Sequence, residues 1–275
     1  MGSEMCIRDR IPYNIVGKPK LERLTQLILR NTATITVAAD SVTTVDGLSQ
    51  QAVQDECSIR VIVEMDTGGG RCGVQSPQAT VELAQHIDQA PNLEFMGVMT
   101  YASGERVPPF FDQVRDLIKK AGLPLHIISA GGTGSQEFCQ SIGCTETRIG
   151  SYIYEGMTRV GKCEDLHPDR CPLRMVTTVV SNARPDQVIV DAGQKAFTSY
   201  PPNPYGYCLE HPEIFIRGMS VEHGHVDITQ SSHNFNVGEI LSFIPLHGGM
   251  TTNLHNQIYP VRNGEVIDLS LIHIS

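Results

Sequence analysis

The chain has 275 residues, 21 basic and 30 acidic side chains, a formal charge of -9 and 40% hydrophobic residues. A chain of that length buries roughly 70–75% of its unfolded surface in one large domain or two modest ones, which excludes a disordered or peptide-sized product. The acidic balance disfavours nucleic acid and anionic membrane surfaces as partners, no run reaches the roughly 18 apolar residues of a bilayer span, and the first ten residues lack the apolar core of a secretory signal. A cytoplasmic protein is expected, and its 25 glycines favour an α/β chain with many tight turns.

In chain order, strands are predicted at Ile11–Val16, Thr34–Ala39, Arg60–Met65, Glu94–Tyr101, Leu125–Ser129 and, briefly, Thr147–Gly150. Helical patterns fall between them at Pro19–Arg30, Thr43–Asp55, Pro77–Gln89, Pro108–Ala121 and Ser135–Ile142, several with proline in the first turn. Repeated strand-then-helix means a parallel sheet, and eight such units would need about 220–250 residues where roughly 140 are present. Beyond Pro168 the pattern changes to strands with turn signals at Arg174–Ser181, Gln187–Asp191, Glu213–Val221, Glu239–Pro245 and Gln257–Arg262. The expected fold is an incomplete TIM-type (β/α) barrel of about five units over residues 11–168, then a mostly antiparallel β domain over 169–268. Residues 1–10 and 269–275 continue neither pattern and are set apart as a non-native leader and tail.

Eight cysteines are scattered without a C-x-x-C pair, so reduced thiols are expected. Cys163 and Cys171 flank His167 and Asp169, a spacing that fits no zinc pattern. DTGGGRCG, Asp66–Gly73, follows a strand directly, and its glycines permit a turn that aims Arg71 across the carboxyl ends of the sheet. A guanidinium there holds a carboxylate, a phosphate or a ring nitrogen; the plain alternative is a solvated surface arginine. ISAGGTGS, Ile128–Ser135, exposes consecutive backbone N–H groups as an anion cradle, although it matches neither G-x-G-x-x-G nor a Walker loop. Arg148, Gly150, Ser151 and Tyr152 after the last barrel strand sit where barrels complete a phosphate site. Histidines gather in EHGH (Glu222–His225), at His233, and in PLHGGMTTNLH with His247 and His255; on an extended strand His223 and His225 face one side, as a metal pair requires, although histidines in turns more often cap or meet solvent.

In order and spacing, DTGGGRCG, MTYASG, ISAGGTGS, TRIGSYIY, TTVVSNARPDQVIVDAGQK, VEHG and PLHGGMTTNL resemble the D-threonine aldolase and D-serine dehydratase family, related more distantly to alanine racemase. The resemblance runs from about Ile11 to Asp268. It implies an alanine-racemase-type barrel binding pyridoxal phosphate at its mouth, a D-serine dehydratase-like β domain, a homodimer in the full-length family form, and a D-amino acid substrate undergoing aldol cleavage, dehydration or racemisation. It places Arg71 and Tyr101 near the cofactor, Ser129, Gly131, Gly132 and Thr133 in the phosphate-cradling turn, and Gly150, Ser151 and Tyr152 in a second phosphate loop.

Two departures qualify what the resemblance implies. IPYNIVGKPK looks like the family's fourth strand and helix, so the first three barrel units and the lysine that bonds the cofactor are missing, and the chain is expected to be an inactive fragment. Lys195 is the best leftover lysine. The family's divalent metal is held by a histidine and, two residues later, a cysteine or aspartate; His247 matches the first, but Gly249 stands at the second, which weakens the site. A metal-dependent hydrolase built on the histidines and a non-catalytic phosphate-ligand binding protein are the alternatives.

Overall fold

The structure, a computed structural model, describes residues 8–30, 32–101, 104–160, 162, 166–200, 204–267 and 270–271. Residues 1–7 of the leader, Cys163, and residues 268–269 and 272–275 lie outside the described residues. The chain divides into two units, the first running to Ile149 and the second beginning at Gly150.

The first unit alternates β1 (Arg8–Asn14), α1 (Lys18–Leu29), β2 (Thr34–Ala39), α2 (Val42–Gln54), β3 (Ile59–Glu64), α3 (Pro77–Gln89), β4 (Leu93–Met99), α4 (Val107–Lys120), β5 (Ile127–Ala130), α5 (Gln136–Ser141) and β6 (Glu146–Thr147). Serines start two of the helices. Ser41 Oγ accepts the Thr44 N–H at 3.3 Å and Ser76 Oγ accepts the Ala79 N–H at 3.2 Å, satisfying first-turn donors that no helix carbonyl reaches. The six strands pair in parallel in the order β1-β2-β3-β4-β5-β6, an open sheet with the strand–helix repeat of an incomplete (β/α) barrel.

Alternation along the strands divides the sheet into two chemically different faces. Val37, Ala39, Val61, Val63, Phe95, Val98 and Ile128 pack with the helix side chains Leu48, Val81, Ile87, Phe111 and Ile118 in one core. On the opposite face Ala38, Ile62 and Met99 make only a small cluster, against which Ile127 packs. Buried polar residues, Thr36, Glu64 and Ser129, share that face through the register of β2, β3 and β5.

The second unit holds a 3-10 turn (Ser151–Ile153), α6 (Met157–Val160), β7 (Met175–Ser181), β8 (Gln187–Val190), β9 (Gly206–Cys208), β10 (Phe215–Met219), β11 (Gly224–Asp227), β12 (Ile240–Pro245), α7 (Gly248–Thr252), β13 (Gln257–Ile258), β14 (Val261–Arg262), β15 (Glu265–Val266) and β16 (Ser270–Leu271). Strands β7–β12 close a six-stranded antiparallel barrel in the order β10-β11-β8-β7-β12-β9. Its core centres on Phe197 and Phe243, edge to face at 6.3 Å, with Val190, Ile214, Ile216 and Val226. Among the described residues no helix is long and apolar enough to cross a membrane.

Several boundaries differ from the sequence expectation. β1 starts at Arg8, inside the segment set apart as a leader, because Arg8–Arg10 pairs in register with Thr34–Thr36. β6 is only Glu146–Thr147, and β9 and β11 are additional strands. The predicted strand Gln257–Arg262 divides into β13 and β14, which pair with β16 and β15. Ser270–Leu271, set apart as tail, therefore belongs to a strand pair.

Gly97 occupies a bulge in β4, with φ +145° and a register shift against β3 between Val61 and Ile62. A Cβ there would collide with the Ile127 carbonyl of β5. Replacing Gly97 by valine is expected to cost about 2–4 kcal/mol of unfolding free energy in a urea titration followed by circular dichroism. An unchanged midpoint would contradict the β4–β5 approach.

Candidate active site at the carboxyl ends of the parallel strands

The turn after β3 is folded by its own first residue. Asp66 Oδ1 accepts the N–H groups of Gly68, Gly69 and Gly70 at 2.9, 2.7 and 3.2 Å, and these bonds hold its carboxyl below the usual carboxylate range. The returning end is fixed by Gly73 N–H, which donates to Asp40 Oδ2 at 3.0 Å, and by backbone bonds between Val74 and both Glu64 and Asp66. Thr67 and Thr100 hydroxyls, 2.8 Å apart and buried, join this turn to the end of β4.

So held, Arg71 lies across neighbouring strand ends. Its guanidinium carbon is 4.8 Å from the centroid of the Tyr101 ring, a cation–π arrangement. Its Nη2 is 3.6 Å from Glu64 Oε1; the arginine side chain is 60% exposed and the glutamate 3%, so one end of this pair faces solvent and the other is sealed in the sheet. Burial pushes the Glu64 carboxyl up, outweighing the nearby Arg71, while the charge of Asp40 adds to the rise.

The turn after β5 lies next to Tyr101. Gly131 and Gly134 have φ +68° and +91°, and a Cβ on Gly131 would overlap Ser135 Oγ. Gly132 N–H donates to Ser135 Oγ at 2.9 Å and the serine hydroxyl donates back to Gly132 O at 2.8 Å, locking the turn. A side chain at Gly132 would come within 3.9 Å of Tyr101 Cε2 and 3.6 Å of the Arg148 carbonyl. Arg148 donates through Nη1 to the buried Ser129 hydroxyl and through Nη2 to Thr100 O at 2.6 Å, tying the ends of β4, β5 and β6 together. Burial lowers the Arg148 pKa, with Glu64 opposing that shift.

Arg71, Tyr101 and Gly132 therefore meet, Ser129 joins them through Arg148, and Gly131 and Thr133 belong to the same turn. α5 is a six-residue helix, shorter than the predicted Ser135–Ile142, so any anion cradle rests on the turn and on Arg148 rather than on a helix end. Gly150, Ser151 and Tyr152 open the second unit, where Ser151 O accepts the Glu155 N–H at 2.8 Å and Tyr152 is 58% exposed. Asp40, Glu64, Thr67 and Thr100 were missed by sequence reasoning. Glu64 left a signal, a lone acid at the end of the apolar run RVIVEM.

Among the histidines, His247 caps α7, its Nδ1 accepting the Met250 N–H at 3.3 Å, with the Tyr200 ring 5.9 Å away. A Cβ at Gly249 would stand 3.9 Å from His247 Cε1, so that position adjoins the imidazole yet offers no ligand atom. His225 is bonded to Ser220 Oγ at 3.0 Å, His255 to Ala196 O at 2.9 Å, and Lys195 is paired with Glu222. A cavity of about 610 Å³ on the polar face of the sheet is lined by Arg10, Thr34, Thr36, Arg60 and Glu94 toward the amino-terminal ends of the strands and reaches Arg148.

Because Glu64 is raised by burial, its neutral form suits the fold, and that stability is present below the ordinary carboxylate range and lost as pH rises through the folded pKa. Glu64→Gln should thus match the parent protein in acid and exceed it at neutral pH, measured by urea unfolding from about pH 4 to 8. A variant less stable at neutral pH would mean that pairing with the arginines outweighs burial.

Residues 12–158 match the family model described as "Alanine racemase, N-terminal domain", and residues 172–261 match "Putative serine dehydratase domain". The chain is 32% identical to a D-threonine aldolase of Arthrobacter sp over 277 residues, covering 94% of this chain and 72% of that protein. It is 32% identical to a 3-hydroxy-D-aspartate aldolase of Paracoccus denitrificans over 283 residues, with the same two shares. The crystal structure of D-threonine aldolase from Filomicrobium marinum superposes with a TM-score of 0.85 at 26% identity, covering 95% of this chain and 75% of that one. With both models matched in order and these aldolases among its relatives, the chain belongs to the D-threonine aldolase family and joins an alanine racemase-type domain to a serine dehydratase-type domain.

Proposed function

We propose that this chain builds a pyridoxal phosphate site of a lyase acting on β-hydroxy D-amino acids, of the aldolase or ammonia-lyase type. The observation that carries the reading is the meeting of Arg71, Tyr101 and the Gly131–Thr133 turn above the anchored Arg148. The turn has no side chain between Ala130 and Thr133, so a phosphate can approach its backbone closely, as an anion cradle requires. Arg71 is 60% exposed at the strand ends, where its guanidinium can face the cofactor's ring or the substrate carboxylate. Tyr101 offers a flat wall beside it. When bound, pyridoxal phosphate supplies the electron sink for breaking a bond at the substrate Cα.

The fit is incomplete at one point. None of the six lysines lies on β1–β6: Lys18 and Lys20 begin α1, Lys119 and Lys120 end α4, and Lys162 and Lys195 belong to the second unit. We read this chain as holding the cofactor through its phosphate and ring without a covalent bond, and as inactive by itself toward D-threonine. The β-hydroxy D-amino acid as ligand, and a dimer of the full-length family form, follow from the family resemblance.

Equilibrium dialysis with pyridoxal phosphate tests the site. Arg71→Ala should weaken binding about tenfold, roughly 1.4 kcal/mol, and Gly131→Val should abolish it, while borohydride treatment labels no lysine and D-threonine yields no glycine. A labelled lysine or released glycine would contradict the non-covalent reading; binding unaffected by both variants would contradict the site.

A further inference from the structure

Two loops of the second unit bring a histidine pair and a carboxylate together. His211 lies between β9 and β10, His233 between β11 and β12, and Glu239 immediately before β12. One ligand atom from each lies within 4.8 Å of the others. His233 Nε2 is 2.9 Å from Glu239 Oε1, and the two imidazoles stand 4.6 Å apart between centroids with a 31° tilt. We propose that these three side chains form a zinc-type divalent cation site whose occupant pins the β9–β10 loop to the β11–β12 loop.

Tetrahedral zinc bond lengths place neighbouring ligand atoms about 3.3 Å apart, so the trio closes on an ion through side-chain shifts of about 1 Å. Two imidazoles and one carboxylate are a borderline donor set suited to zinc, with water in the fourth position; calcium and magnesium favour oxygen alone. The surroundings hold the ligands in place. Glu213 Oε1 is 3.7 Å from His211 Nδ1 and accepts the Ser231 hydroxyl at 2.6 Å, and Glu239 Oε2 accepts the Asn236 N–H at 2.9 Å. Phe235 packs edge-on against both imidazoles, at 5.1 and 4.7 Å. A carboxylate behind a ligating histidine and an N–H behind a ligating carboxylate are the outer contacts that fix ligand orientation.

This group is separate from the family-type position at His247. Glu239 immediately precedes β12 and His247 follows its end, and a strand of that length spans about 20 Å.

The test uses the whole chain, stripped with chelator, dialysed against zinc and gel-filtered. One equivalent of zinc by elemental analysis, a raised melting temperature, and a cobalt(II) absorption spectrum of nitrogen–oxygen coordination are expected. His233→Ala and Glu239→Gln, checked by far-ultraviolet circular dichroism, should weaken binding by roughly 100-fold and Glu213→Gln by roughly tenfold, whereas His247→Ala keeps the equivalent. A parent chain that retains no stoichiometric zinc or cobalt, or metal that survives His233→Ala and disappears in His247→Ala, would overturn the proposal.

Discussion

The Arg148 guanidinium is the constraint around which the carboxyl ends of the parallel strands are arranged. It reaches from just beyond β6 to Ser129 of β5 and to the Thr100 carbonyl beyond β4, and it feels the charge of Glu64 from β3. The guanidinium is half-buried, and a hydrogen bond from a charged group to a neutral partner contributes roughly 1.5–3 kcal/mol. The arrangement therefore fixes the strand ends relative to one another, and the turns that carry Arg71 and Gly131–Thr133 inherit that order.

The sheet that supports this site divides its labour between its faces. The helix-covered face supplies apolar burial, while the opposite face carries charge at both strand ends around the small cluster of Ala38, Ile62 and Met99. At the amino-terminal end Arg10 pairs with Glu146, and Arg60 with Glu94 at 2.9 Å. Burial and the like charge of Arg148 hold the Arg10 pKa down to about 10. Such a polar face contributes little to stability by itself.

Much of this was legible in the sequence because parallel strands read as short apolar runs and their helices as amphipathic ones. IRVIVE and ITVAA fall almost where the pattern puts them. The strands that escaped notice are those with little pattern to give: GYC is three residues long, and GHVD opens with glycine and histidine. β1 was placed late because its pairing with β2 includes charged Arg8–Arg10, whose strand character comes from register rather than propensity. In the site, the glycine turns announced Arg71 and Gly131–Thr133. Asp40 follows β2 and Glu64 ends β3, and only the sheet register sets the first against Gly73 and the second beside Arg71. The histidines were visible too, yet spacing along the chain pointed to His223 with His225, whereas folding joins His233 to Glu239 and His211.

The most direct test of the account is a crystal structure of the chain grown with pyridoxal phosphate. The account predicts the phosphate against the Gly131–Thr133 backbone, with Arg71 and Tyr101 beside the ring and Arg148 still bound to Ser129 and Thr100. A phosphate seated instead in the hollow lined by Arg10 and Arg60, or Arg71 turned away from a bound cofactor, would contradict it.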